Sequence, residues 1–336
     1  MNNISIGDRA KTFLIQMQNA RLKATANRLG LEMSTGQTAD ISGRLSGDFS
    51  MLSGIEASLR VLKSYKSAGN EAAVFAKGMQ ISLGVVQEQT TDAVSKLLLI
   101  GDNASQTQIG NTATDISKKF QSVVSALNTQ IGGRTLFAGM ATDGPAIAAA
   151  DSMMNDLKLA VAGQTTAAGV KSVVSTWFDT PSGGYETSGY LGATTPLSPV
   201  SIGKNQAADL DVTALDPVIR ETLKGLALGA LVAEGVLDGN LAEQGALLQE
   251  AGGTLVSVGA RQTGLRAKIG AAEAQIDSAL AQNTSEVSAL ELTRSELLSV
   301  DPYDTATSLK AVQTQLEVLY SITARMSRLS LVDFLR

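Results

Sequence analysis

The stretch "DPYDTATSLKAVQTQLEVLYSITARMSRLSLVDFLR", residues 301–336, decides the fold class of this chain. Asp301 can cap a helix, Pro302 suits the first helical position, where its missing N–H costs nothing, and Asp304 faces the positive end of the helix dipole. From there Leu309, Val312, Leu316, Leu319 and Met326 mark one face, Ile322 and Leu329 flank it, and only Thr323 interrupts the seam. Beyond Ser330, Leu331, Val332, Phe334 and Leu335 form an apolar tip. Terminal residues usually fray, because ordering them costs entropy that few contacts repay. An amphipathic helix that finishes on large apolar side chains therefore calls for a partner surface.

The opposite end offers one. From about Lys11 to Met33 there is no proline, and Phe13, Leu14, Met17, Ala20, Ala24 and Leu31 recur at helical spacing. Antiparallel pairing of this first helix with the last would bury both apolar faces. It would also bring the cations of residues 1–30 (Arg9, Lys11, Arg21, Lys23 and Arg28, against Asp8 alone) beside Asp301, Asp304, Glu317 and Asp333. Between Met33 and Ser50, Gly36, Gly43, Gly47 and many small polar residues predict a loop.

Helical spacing resumes at Leu52, Ile55, Leu59 and Leu62 and again at Ile116, Phe120, Val123 and Leu127, until Gly132 and Gly133 stop it. It returns after Asp216-Pro217 with Ile219, Leu223, Leu226, Ala230, Ala233 and Leu237. A further run, Val258, Leu265, Ile269, Ala272, Ile276 and Ala279, keeps heptad register with Gln262 as its polar intrusion. In between, residues 141–215 hold Pro145, Pro181, Pro196 and Pro199 together with Trp177, Phe178, Tyr185 and Tyr190. Segments such as "VVSTWFDT" (173–180), "GGYETSGYLGA" (183–193) and "PVSIGKNQAADLDV" (199–212) read as strands and turns, with a helix near Asp151 to Val161.

The expected fold is mainly α with a small β-rich insert, an elongated antiparallel coiled-coil bundle formed by the N- and C-terminal segments. Its expected parts are a first helix and loop (1–50), the N-terminal half of an inner helical domain (51–140), a separate β-rich outer insert (141–215), the C-terminal half of the inner domain (216–300) and the last helix (301–336).

Composition excludes much chemistry. The 336 residues include no Cys and no His, so disulfides, thiolate nucleophiles, Cys/His zinc sites and histidine bases are impossible. A net charge of −5, with no basic cluster interleaved with aromatics, argues against a nucleic-acid partner. The longest apolar runs, Leu97–Ile100 and Leu226–Ala233, are too short to span a bilayer. The N-terminus lacks the pattern of a cleaved signal peptide.

The remaining motifs read as structure. Ser201-Ile-Gly-Lys204 fits S-x-x-K but lies in a strand or turn, where that pair cannot work as nucleophile and base. "IGGRTLFAG" (131–139) lacks the phosphate-loop pattern and follows a helix. Capping accounts for Asp301 and Asp304 without a metal. The insert's aromatics are more often a core than a carbohydrate platform. No cofactor, metal or catalytic residue is expected.

Four stretches carry a family resemblance. "LEMSTGQTADISG" (31–43) resembles the L-S-T-G loop that follows the terminal helix of the flagellin superfamily, although "SGRLSGDFSML" departs from the acidic segment usual after it. "GGRTLFAGMATDGPA" (132–146) resembles the G-R-x-L-F-(A/S)-G motif that precedes the variable insert. "VSVGARQTGLRAKI" (256–269) resembles the start of the returning helical half, and residues 301–336 resemble the family's terminal helix. The resemblance implies a flagellin-like fold and a structural subunit of the bacterial flagellum. Within the superfamily the likeness is strongest to the hook-associated proteins, which implies joining hook to filament by polymerisation; the filament subunit itself is the alternative. It also implies type III export without a cleaved signal, assisted by a chaperone, and an extracellular, homo-oligomeric tube bordered by a neighbouring hook-associated protein and flagellin. A secreted enzyme and a cytoplasmic coiled-coil adaptor remain as remote alternatives. The residues expected to mediate self-assembly are Phe13, Leu14, Met17, Leu309, Val312, Leu316, Leu319, Met326, Leu329, Leu331, Phe334 and Leu335.

Overall fold

A computed structural model describes the backbone of residues 6–334 and the side chains of residues 10–326. Helix dominates: α1 (Ile6–Thr35), a short α2 (Ile41–Arg44), α3 (Ser50–Leu97), α4 (Gln106–Leu127), α5 (Ala150–Ala160), α6 (Ala167–Asp179), α7 (Pro217–Ala233), α8 (Leu241–Leu298) and α9 (Pro302–Phe334). Two antiparallel hairpins, β1 (Gln130–Ile131) with β2 (Arg134–Thr135) and β3 (Val200–Gly203) with β4 (Gln206–Ala208), supply the strands. The mainly helical fold with a small strand insert is the expected one.

The chain divides into two compact units, Met1–Leu62 with Ser285–Arg336, and Lys63–Thr284. In the first, α1 lies against α9. Lys23 stands over the ring of Tyr320, whereas Gly36 and Gln37 meet Val300 and Ser299, so residue numbers fall along α1 as they rise along α9 and the pair is antiparallel.

In the second unit α4 packs extensively against α7. Ile116, Phe120, Val123 and Leu127 of α4 and Leu223, Leu226, Ala227 and Ala230 of α7 are fully buried or nearly so, which is why both runs hold 4-3 spacing. Asp216 caps α7 by accepting from Val218 N at 2.8 Å, with Pro217 at the first position. Helices α3 and α8 run antiparallel through Gln80 with Arg266, Gln87 with Thr263, and Gln262 with Thr90. Gly132 and Gly133 take φ of +59° and +77°, the two positive values that the two-residue β1–β2 turn requires.

Residues 141–215 differ in detail from the sequence reading. β3 and β4 arise within "PVSIGKNQAADLDV" and α5 sits where a helix was expected, but "VVSTWFDT" belongs to α6 and "GGYETSGYLGA" contains a π-helical turn over Tyr185–Gly189. Val173 and Val174 favour strand locally. Burial of Ala167, Val170, Val174 and Phe178 on one helical face overrides that preference, and Thr166 caps the helix by accepting from Gly169 N at 3.1 Å. Ile147 pairs with the Asn128 side chain in both directions at 2.9 Å, and Asn283 Nδ2 donates to Ile202 O at 2.7 Å. The buried residues of this segment join one core with those of α3, α4, α7 and α8.

A four-charge cluster links α3 to α4. Lys119 bonds Asp92 and lies 3.5 Å from Asp115, while Lys96 reaches Asp115 at 2.9 Å and Asp92 at 3.2 Å. Lys119 and then Lys96 hold the Asp92 carboxyl below its ordinary range. A carboxyl with a depressed folded pKa contributes stability above its unfolded pKa and loses it as pH falls through the folded one. Acidification below about pH 4 should therefore lower the thermal midpoint of the wild type more than that of Asp92→Asn. Equal drops between pH 6 and pH 3 would show that the cluster contributes nothing.

Candidate assembly interface

Helix α9 presents to α1 the seam its sequence announces. Thr305 and Leu319 are buried and Leu309, Val312, Leu316 and Met326 half-buried, with Thr323 at the expected interruption. Its start is capped as expected: Tyr303 N and Asp304 N donate to Asp301 Oδ1 at 2.7 and 3.3 Å. The side chains of Leu329, Leu331 and Phe334, and Leu335 altogether, lie outside the described residues.

Helix α1 meets this seam with a face that the sequence reading did not choose. Ile15, Asn19, Leu22, Ala26 and Leu29, spaced 4-3-4-3, are half-buried, whereas Phe13 is 61% exposed, Leu14 63%, Met17 55% and Leu31 55%. Ala20 and Ala24 are exposed too. Residues two apart on a helix are about 200° apart, so the two stripes occupy opposite sides. The pairing with α9 thus leaves the expected face of α1 uncovered, a correction to the expectation that it would bury both. Helix α9 likewise exposes Tyr303, Val318, Tyr320 and Ile322.

Polar groups define the hairpin's register. Asn19 Oδ1 is buried with no hydrogen-bond partner among the described residues. At the far end, Thr38 N donates to Leu298 O at 2.8 Å and Val300 N to Gly36 O at 3.1 Å, an antiparallel clasp. Glu32, only 6% exposed, fastens the loop to α1 by accepting from Ala39 N at 3.0 Å and Thr38 Oγ1 at 3.4 Å. Of the expected charge pairing, the side chains of Asp8, Arg9 and Asp333 lie outside the described residues, and among the described residues no ion pair joins α1 to α9. Arg28 bonds Asp40 at 3.2 Å and Lys23 lies 5.8 Å from the centre of the Tyr320 ring.

The other motifs singled out in the sequence do not assemble a site among the described residues. Ser201 is an exposed residue of β3 and Lys204 lies in the β3–β4 turn. Phe178 and Tyr185 are fully buried, with Trp177 edge-on to both at 4.7 and 6.1 Å, so the aromatics form a core. Tyr185 Oη donates to Ala214 O at 2.7 Å, and burial pushes this phenol well above its ordinary pKa. Among the described residues no group of three or more Asp or Glu could hold a metal, and no helix is long and apolar enough to cross a membrane.

Residues 260–335 match the bacterial flagellin C-terminal helical region family. No curated protein matches the chain in sequence. Among solved structures, one described as a flagellar hook-associated protein from Vibrio parahaemolyticus superposes with a TM-score of 0.55 at 15% identity, covering 75% of this chain and 99% of that one. Residues 260–335 thus resemble the flagellin C-terminal helical region, and the chain shares its fold, at low sequence identity, with a flagellar hook-associated protein.

Proposed function

We propose that the chain is a structural subunit of the bacterial flagellum that joins hook to filament, the role of a hook-associated protein 3, by polymerising through its paired terminal helices. One observation carries this reading. Helix α1 is apolar on two sides and α9 covers one of them, leaving Phe13, Leu14, Met17 and Leu31 on the other. A closed domain rarely displays such a stripe, whereas a subunit built to meet copies of itself needs it. The terminal helices then line the tube, and the neighbours are further copies, another hook-associated protein and flagellin. The subunit is extracellular and leaves the cell through the flagellum's own type III channel with an export chaperone.

The family matched by residues 260–335 favours a second reading, the filament subunit itself. A deletion strain separates the two. Both readings give hooks without filaments, but loss of a junction subunit leaves flagellin spilling into the medium. Flagellin-free medium would mean that the junction assignment is wrong. Recovery of the protein solely from the cytosol, and never from sheared appendages, would overturn both.

A further inference from the structure

The turn that joins α7 to α8 holds one of the two Asp-Gly pairs of the chain, Asp238-Gly239; the other is Asp143-Gly144, and no Asn-Gly pair occurs. Glycine has no side chain to keep a preceding carboxyl away from its own backbone nitrogen. In the α7–α8 turn the fold brings these two groups together. Gly239 N donates to Asp238 Oδ1 at 2.9 Å, and the carboxyl carbon is the atom bonded to that oxygen. Reacting atoms held in position close efficiently from about 3–3.5 Å.

The backbone around the pair fixes this approach. Gly235, Leu237 and Gly239 take φ of +84°, +61° and +80°, and Leu237 is buried. Asp238 N donates to Gly235 O at 3.3 Å and Asn240 N to Leu237 O at 3.0 Å, while Asp238 and Gly239 themselves are exposed to solvent. The Asp143-Gly144 pair is held differently, because Thr135 of β2 ties down both of its flanks. Thr135 N donates to Thr142 O at 2.9 Å and Thr135 Oγ1 to Gly144 O at 2.5 Å. Closing a ring there would disturb both bonds.

We propose that Asp238-Gly239 is a site of spontaneous covalent modification, at which aspartate converts to isoaspartate. Gly239 N bonds to Cγ of the protonated Asp238 carboxyl, and the amide hydrogen leaves with the carboxyl hydroxyl as water, closing a succinimide ring. Solvent water then adds to one of the two ring carbonyls and breaks its bond to that nitrogen. Addition at Cγ restores aspartate, whereas addition at the main-chain carbon leaves the chain running through Cβ and Cγ, with a free α-carboxylate. Water is lost and regained, and nothing is oxidised or reduced. The methylene added to the backbone falls between Leu237 and Asn240, inside the loop that their 3.0 Å bond closes, so ageing loosens the turn from which α8 starts. None of this depends on the flagellar reading.

Incubation of the full chain at neutral pH in oxygen-18 water, followed by tryptic digestion in ordinary water, tests the site. The peptide carrying Asp238 should gain oxygen-18 and yield an isomer that elutes apart, severalfold faster than the peptide carrying Asp143. In urea, where the turn is lost, the two pairs should label at similar rates. Equal labelling of the two pairs in the folded chain overturns the proposal, and so does a ratio that unfolding leaves unchanged. Asp238→Glu, whose longer side chain closes a ring far more slowly, should lose the new isomer while retaining helix content; its persistence in that variant overturns the proposal too.

Discussion

Phe13→Asp combined with Met17→Asp leaves the monomer folded and abolishes its assembly. Both side chains are more than half exposed on the side of α1 turned from α9, so their loss removes little burial within the first unit. Substitutions at such positions change stability by about 0.5 kcal/mol or less. In a polymer that covers this stripe, each replacement forfeits about 1.5–3 kcal/mol of apolar burial and adds a carboxylate that must be desolvated. The pair together weakens each subunit contact by at least a hundredfold, at about 1.4 kcal/mol per factor of ten. Circular dichroism and a thermal melt of the monomer, beside sedimentation of the polymer and motility of a complemented deletion strain, measure the two halves of the claim. Leu22→Asp with Leu29→Asp, on the stripe that does face α9, should instead lower the stability of the helix pair itself. Normal polymerisation of the Phe13/Met17 variant would exclude the exposed stripe as an interface.

The contrast between α1 and α9 shows what the sequence makes legible. In α9 one stripe dominates, a cap marks its start, and Thr323 is its single interruption, so the buried face follows from spacing alone. In α1 two stripes lie on opposite sides, and spacing has no means of telling which one a distant helix will cover. Phe13 is the largest side chain of the two stripes, yet the partner takes Ile15, Leu22 and Leu29. The basic charge of α1 misled for a similar reason. A surplus of cations fixes no geometry, and Arg28 finds Asp40 and Lys23 an aromatic ring, contacts set by how the chain folds back. Glu32 carried no signal at all, because its partners are the backbone N–H and hydroxyl of a loop that exists only once α1 has ended. Helix α6 was hidden by Val173 and Val174, whose local preference yields to burial of its neighbours.

Gly229→Val should destabilise the second unit, while Gly245→Ala should stabilise it, although both glycines interrupt helices and look alike in sequence. Helix α7 approaches α4 so closely at Gly229 that an added Cβ would stand 2.8 Å from Ile116 Cγ2, and Ile116 is itself fully buried. Nothing there can yield without disturbing the contact of α7 with α4, and overpacking of this kind costs about 1–3 kcal/mol. Phe120→Ala on the same face of α4 removes a fully buried ring and should cost about 3–5 kcal/mol, a large share of the 5–15 kcal/mol that usually holds a domain together. At Gly245 an added Cβ would meet only Ile109 Cδ1, at 3.7 Å, an ordinary contact. Alanine there should raise stability by about 0.5–1 kcal/mol, because it restricts the unfolded chain and favours helix. Urea unfolding followed by Trp177 fluorescence, which reports on this unit, measures all three. The opposite signs of the two glycine variants are the decisive feature: if Gly229→Val proves as stable as the wild type, α7 does not approach α4 as closely as the fold requires.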